Sequence, residues 1–121
     1  MAPSGPILVV EDDEDVRDAM VHVLQAEGYE AVPAVDGEDA LGHLQAGLEP
    51  CLILLDLMMP RMNGWQFLEH RDVRASRAPI VVVSAYGTAP EMQSAGVAAY
   101  MRKPVDIDAL LLVVAEYCAA H

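Results

Sequence analysis

Four apolar runs in this chain each lead into residues that can do chemistry. Ile7–Val10 is followed by Glu11, Asp12 and Asp13, Cys51–Leu55 by Asp56, Ile80–Val83 by Ser84, and Ala98–Met101 by Arg102, Lys103 and Pro104. Short apolar runs of this kind predict strands buried on both faces, as in a parallel sheet. In an open parallel sheet the C-terminal strand ends share one edge, and ligands bind there. The sequence thus gathers carboxylates, a hydroxyl and an ammonium in one place. Crowded carboxylates repel one another unless a cation lies among them. Magnesium suits them: it is hard, takes oxygen ligands, keeps waters, and needs only one or two carboxylates plus a phosphate. An aspartate can attack a phosphoryl group and hold it as an aspartyl phosphate. The oxygens of that group then need matching partners. A metal can take one, Lys103 a second, and the Ser84 hydroxyl and backbone N–H groups after the third strand the rest.

The elements that must position these residues alternate strand and helix. After the first strand, a helix is expected over about 13–27, with Val16, Met20, Val23 and Leu24 as its apolar stripe and Gly28 at its end. The second strand, near 30–35, contains Pro33, which cannot donate to a ladder and so belongs at an edge. Asp36 caps a second helix whose inward residues are Ala40, Leu41 and Leu44. Asp56 to Asn63 forms a loop with Pro60 and a turn at Asn63-Gly64. The third helix runs from Gly64 through Arg71, with Trp65, Phe67 and Leu68 as apolar content. The fourth helix, within 88–95, is short. Asp106 caps a fifth, striped by Leu110, Val113, Val114, Tyr117 and Cys118. Five β-α repeats predict an α/β, doubly wound, three-layer sandwich. With the second strand at the edge, the flavodoxin-like order 2-1-3-4-5 follows, and strands one and three meet at the switch point.

Composition narrows the function. The chain has 121 residues, one domain's worth, with residues 1–6 expected as a loose leader and 7–121 as the domain. Its formal net charge of −12 opposes contact with nucleic acid phosphates. No apolar run has the length of a membrane span, and the leader lacks the features of a signal peptide. Cys51 and Cys118 have no metal-ligand or redox spacing, read as buried core thiols, and fit a reducing cytoplasm. Asp13, Glu14, Asp15 and Asp18 read as a solvated helix start. His22, His43, His70 and His121 have no metal spacing. Met58 and Met59 read as loop packing, and Leu111 and Leu112 widen the last helix's stripe into core or a partner surface.

Ile7–Asp13, Leu54–Gly64, Val83-Ser84-Ala85 and Tyr100–Pro104, all in order on the expected elements, resemble the response-regulator receiver domain, the CheY-like phosphoacceptor of two-component signalling. The resemblance covers Ile7 to about Ala119. It implies that Asp56 is the phosphoacceptor, that Asp12 is a direct magnesium ligand, that Glu11 acts through water, and that the Met58 carbonyl completes the metal site. It makes Ser84 the switch hydroxyl, Tyr100 the switch aromatic and Lys103 the phosphate-site lysine. Lys103-Pro104 stands where the family usually has a cis peptide. The implied partners are a histidine kinase or histidine phosphotransfer protein, and a downstream protein on the face of the fourth helix, fifth strand and fifth helix. The implied cofactor is Mg2+.

The chain departs from the family pattern at three points. Ser84 replaces the commoner Thr, the stretch from Ser84 to Lys103 is short, and residues 96–100 lack the acids that the winged-helix transcription factors use for receiver dimers. Other functions fit less well. A phosphohydrolase of the haloacid dehalogenase type would need a second Asp two residues after Asp56, where Met58 stands. A flavin-binding domain would need a hydroxyl- and glycine-rich phosphate loop where Glu11-Asp12-Asp13 lies. The intact set of acids, Ser84 and Lys103 argues against a phosphorylation-independent pseudo-receiver. The same pattern fits a stand-alone receiver or one belonging to a larger response regulator or hybrid kinase.

Overall fold

The first strand, β1 (Ile7–Val10), and the third, β3 (Leu52–Leu55), are buried at every position. Side chains alternate between the two faces of a strand, so a strand apolar throughout must be covered on both. The computed structural model describes residues 5–87 and 89–119. It supplies that cover with α1 (Glu14–Ala26) and α6 (Ile107–Tyr117) on one face. On the other lie α2 (Gly37–Gln45), α3 (Gly64–Glu69), α4 (Arg71–Ala75) and α5 (Ala89–Ser94). Ile7 and Val9 pack with Met20, Leu24, Leu110 and Val114. Leu8 and Val10 pack with Ala40, Phe67, Val73 and Met92.

The sheet is parallel, in the order β2-β1-β3-β4-β5, with β2 (Ala31–Ala34), β4 (Ile80–Ser84) and β5 (Ala99–Arg102). This is the expected order, with Pro33 on the edge strand. Val10 is in register with Ala34 on one side and Leu55 on the other, which brings Glu11 beside Asp56. Ser84 is in register with Arg102, so Lys103 follows directly. Local signals set the helix starts: the side chains of Asp13, Asp36, Asn63 and Asp106 each accept a backbone N–H at the start of their helix.

The structure corrects several expectations. The third helix stops at Glu69 rather than reaching Arg71. His70 is extended there and caps α4 by accepting the Asp72 N–H at 3.1 Å. Val73 is α4's buried apolar residue, too little to announce a helix by periodicity. β5 is shifted one residue later than expected, and β2 and β3 are shorter at their ends. The fourth helix is as short as expected and becomes α5; Thr88, where it was expected to begin, lies outside the described residues, as do residues 1–4, 120 and His121. Pro6 is already tied in, its carbonyl accepting the Cys51 N–H at 2.9 Å.

Cys51 and Cys118 are not free thiols. They form a disulfide across 67 residues, with Cα atoms 5.6 Å apart. Cys51 directly precedes β3 and Cys118 caps α6, so α6, packed on the sheet, brings its C-terminal end to the start of that strand. Such a pairing is made by topology and leaves no spacing signal in sequence. The free-thiol argument for a reducing compartment falls with it. Among the described residues no helix is long and apolar enough to cross a membrane.

Candidate functional site

The backbone fixes the acids before their side chains act. The Glu11 N–H donates to Ala34 O at 3.1 Å and the Asp56 N–H to Val10 O at 3.0 Å. Both residues thus continue the sheet ladder just past its last rung, with Glu11 2% and Asp56 7% exposed. Asp12 lies exposed beside them. One carboxylate oxygen from each of Glu11, Asp12 and Asp56 falls within 4.8 Å of the others. That geometry fits a hard divalent cation held through oxygens.

Lys103 arrives from the opposite side. Its N–H donates to Ser84 O at 3.0 Å, which anchors it to the end of β4. The Lys103-Pro104 peptide is cis. The Lys103 ammonium hydrogen-bonds Glu11 Oε1 and stands 3.5 Å from Asp56 Oδ2. Burial pushes the Glu11 carboxyl up to about 7; the Lys103 hydrogen bond opposes this and the Asp56 charge adds to it. Burial alone would lower Lys103, but its hydrogen bond to Glu11 and the charge of Asp56 outweigh that and raise it. The lysine therefore stays charged and balances part of the acid cluster.

The loop after β3 is closely fitted. The Leu57 N–H donates to Asp56 Oδ1 at 2.8 Å, and the Gly64 N–H donates to Leu57 O at 2.8 Å. A Cβ on Gly64 would fall 2.5 Å from Asp56 O and 2.7 Å from Leu57 Cα. Only glycine lets the start of α3 approach the backbone of Asp56 so closely. Asn63 and Gln66 cap that start reciprocally, at 3.0 and 2.9 Å. Pro60 is exposed in the same loop, and Met58 stands half exposed at the mouth while Met59 is buried.

Ser84 is fully buried, and its Oγ accepts the Tyr86 N–H at 3.2 Å. Tyr100 lies half-buried on β5, its hydroxyl shared between Tyr86 O at 3.2 Å and Gly87 O at 3.1 Å. The tyrosine thus braces the loop that follows Ser84. The structure brings Glu11, Asp12, Asp56, Ser84 and Lys103 to one sheet edge and sets Tyr100 one loop away.

Two features of the site were not singled out from sequence. Arg17 Nη1 donates to Glu11 O at 3.0 Å and Asp12 O at 3.4 Å. Its place one helical turn beyond the acids is the available signal, hidden in a helix start that reads as merely acidic. Asp36, expected only as a helix cap, also pairs with Arg61 from the loop after β3.

Known proteins resemble this chain in sequence and in fold. The sequence profile of the response regulator receiver domain family matches residues 7–115. The chain is 35% identical over 117 residues to the regulatory protein AtoC of Escherichia coli, covering 94% of this chain and 25% of that protein. It is 34% identical over 119 residues to an uncharacterized 14.6 kDa protein of Leptolyngbya boryana, covering 94% of this chain and 90% of that protein. Among solved structures, the response regulator TrrA of Thermotoga maritima, in complex with Mg(2+)-BeF, superimposes with a TM-score of 0.81 at 30% identity, covering 93% of this chain and 98% of that one. The chain thus spans a quarter of one relative's length and most of the other's.

Proposed function

Since this chain belongs to the response regulator receiver domain family, we propose that Asp56 accepts a phosphoryl group from a histidine kinase or a histidine phosphotransfer protein and that the modification switches a protein-interaction surface. The observation that carries this reading is the meeting of Glu11, Asp12, Asp56 and Lys103 at one sheet edge. Glu11, Asp12, Asp56 and the Met58 carbonyl are the residues that would hold Mg2+. Bound there, the ion supplies positive charge to a phosphoryl oxygen and relieves repulsion among the acids.

The chain's own groups do the rest. Asp56 Oδ2, the oxygen facing Lys103, attacks phosphorus; the new P–O bond forms as the donor's P–N bond breaks, and the leaving imidazole takes up a proton. Lys103 holds a fixed positive charge against the incoming oxygens and costs little reorganisation because it is already anchored to Ser84 O. The Ser84 hydroxyl turns from the Tyr86 N–H toward the phosphoryl group. Tyr100, tied to the Tyr86 and Gly87 carbonyls, follows that loop and alters the face built from α5, β5 and α6. Pro60 and Gly64 shape the loop that carries Asp56. Met58 stands two residues after Asp56, where a phosphohydrolase of the haloacid dehalogenase type carries its acid, so the protein acts as a signalling phosphoacceptor whose catalysis is confined to its own modification.

The downstream partner is a protein on the α5-β5-α6 face, where Leu112 is 72% exposed. The net charge of −12 disfavours direct nucleic acid binding. A cytoplasmic location follows from the kinase partner. The near full-length match to the Leptolyngbya protein favours a stand-alone receiver of one domain over 7–121; the match to part of AtoC favours one joined to further domains. Titration with beryllofluoride and magnesium, read by Trp65 fluorescence or NMR, tests the proposal. Saturable binding should centre its shifts on Asp56 and vanish in Asp56→Asn; shifts elsewhere, or binding that survives in Asp56→Asn, would contradict it.

A further inference from the structure

Arg61 is the one non-glycine among the described residues with positive φ, at 62°. A left-handed backbone costs an L-residue on the order of 1 kcal/mol and persists only where its surroundings hold it. Here the surroundings are Asp36. Its carboxylate is 1% exposed, and it works on both sides. Oδ1 accepts the Asp39 N–H at 2.9 Å, starting α2. Oδ2 accepts Arg61 Nε at 2.7 Å and also contacts the terminal guanidinium nitrogen. The fork geometry gives a paired contact that a lysine could not reproduce. Glu38 adds a second carboxylate 3.6 Å from Arg61 Nε.

The backbone repeats the tie. The Gly37 N–H donates to Met62 O at 3.1 Å, and a Cβ on Gly37 would fall 2.6 Å from that same oxygen. The start of α2 and the loop after β3 are thus joined at Asp36-Arg61 and at Gly37-Met62. Burial alone would raise the Asp36 carboxyl, but the Asp39 N–H and the Arg61 guanidinium outweigh it and hold the group below the usual aspartate range, so it stays charged. The joined loop, 57–63, links Asp56 to Gly64, and it contributes the Leu57 N–H that Asp56 Oδ1 accepts.

We infer that Arg61 is a positioning residue for phosphoryl transfer. Through Asp36 it holds the 57–63 loop so that its backbone groups are preorganised around Asp56. The inference rests on the phosphoacceptor reading above for its effect on rate. It does not rest on that reading for its effect on the loop. Preorganisation matters because a small misplacement of groups around a reacting centre costs large factors in rate.

The test uses Arg61→Gly, Asp36→Asn and the double variant. Glycine keeps the left-handed backbone and removes the guanidinium, and asparagine keeps a cap while removing the charge. Phosphorylation by acetyl phosphate with magnesium should slow by about 10-fold or more in each single variant. The double variant should be no slower than the singles, because the two residues act as one unit. Amide exchange over 57–63 should quicken in Arg61→Gly by more than the variant's global loss of stability, read from amides in β1 and β3, accounts for. Parental rates and parental exchange in Arg61→Gly, or independent additive losses in the double variant, would overturn the inference. If the parent protein itself takes no phosphate, the phosphoacceptor reading fails, and the amide exchange still decides whether Arg61 holds the loop.

Discussion

Lys103 Nζ stands 3.5 Å from Asp56 Oδ2 while hydrogen-bonded to Glu11 Oε1, so one ammonium serves two carboxylates of the acid cluster. A cation so placed competes with any divalent ion for the same negative charge and also offers charge to a phosphoryl group. The two roles separate in Lys103→Met. Magnesium should bind that variant more tightly than the parent, because the competing charge is gone. Phosphorylation should slow, because the phosphoryl oxygens lose their fixed partner. Calorimetric titration and a phosphorylation time course measure the two effects. Weaker magnesium binding in the variant would show that Lys103 organises the acids rather than competing for them.

Ser84 and Tyr100 are joined through the loop between them: the serine accepts the Tyr86 N–H, and the tyrosine donates to the Tyr86 and Gly87 carbonyls. Ser84→Ala should still accept phosphate, since the Asp56 nucleophile is untouched, but the modification should no longer reach the α5-β5-α6 face. A ligand shifts an equilibrium only through its differential affinity for the two states, and the alanine removes the hydroxyl that distinguishes them. Chemical-shift changes on that face with beryllofluoride should be large in the parent and small in the variant. Equal changes would remove Ser84 from the switch.

The strand order and the acid edge were legible because the signals are local and strong. β1 and β3 are unbroken apolar runs and β4 is one up to its last residue, Ser84; Pro33 marks the edge strand, and Glu11, Asp56 and Lys103 follow their strands directly. Asp36 and Asp106 marked helix starts by the same local logic, whereas Asp13, read as the first residue of its helix, and Asn63, read as part of a turn, are caps as well. What sequence did not show depends on contacts between distant segments. α4 has little apolar pattern of its own and is set by the His70 cap. The Asp36-Arg61 pair spans 25 residues and joins two loops, so neither residue's neighbourhood reveals the other. Cys51 and Cys118 looked like core thiols because burial is visible in pattern and pairing is not.

The disulfide carries its own prediction. Closing a loop across 67 residues restricts the unfolded chain, worth about 4 kcal/mol in the chain-entropy treatment. Reduction should lower the unfolding midpoint by roughly 10 °C or more for a domain of this size. Cys51→Ser/Cys118→Ser should unfold at the reduced parent's midpoint and ignore reductant. An unchanged parental midpoint on full reduction would show that the bond adds nothing to stability.

Asp36 sets a pH limit. Its folded pKa lies below the ordinary aspartate value, so the unfolded chain binds its proton first as pH falls. The pair therefore contributes stability that is fully present above the ordinary aspartate pKa, about 3.9, and is lost as pH drops through the depressed folded value. Unfolding midpoints followed from neutral pH to pH 3 should fall more steeply on the acid side in the parent than in Asp36→Asn. Parallel curves would mean that Asp36 contributes no such linkage.

The central claim is that Asp56 receives the phosphoryl group. Intact-mass measurement after incubation with acetyl phosphate and magnesium tests it most directly. The protein should gain one phosphoryl group, labile to hydroxylamine as an acyl phosphate is, and Asp56→Asn should gain none. Full labelling of Asp56→Asn, or no hydroxylamine-labile label on the parent, would contradict it.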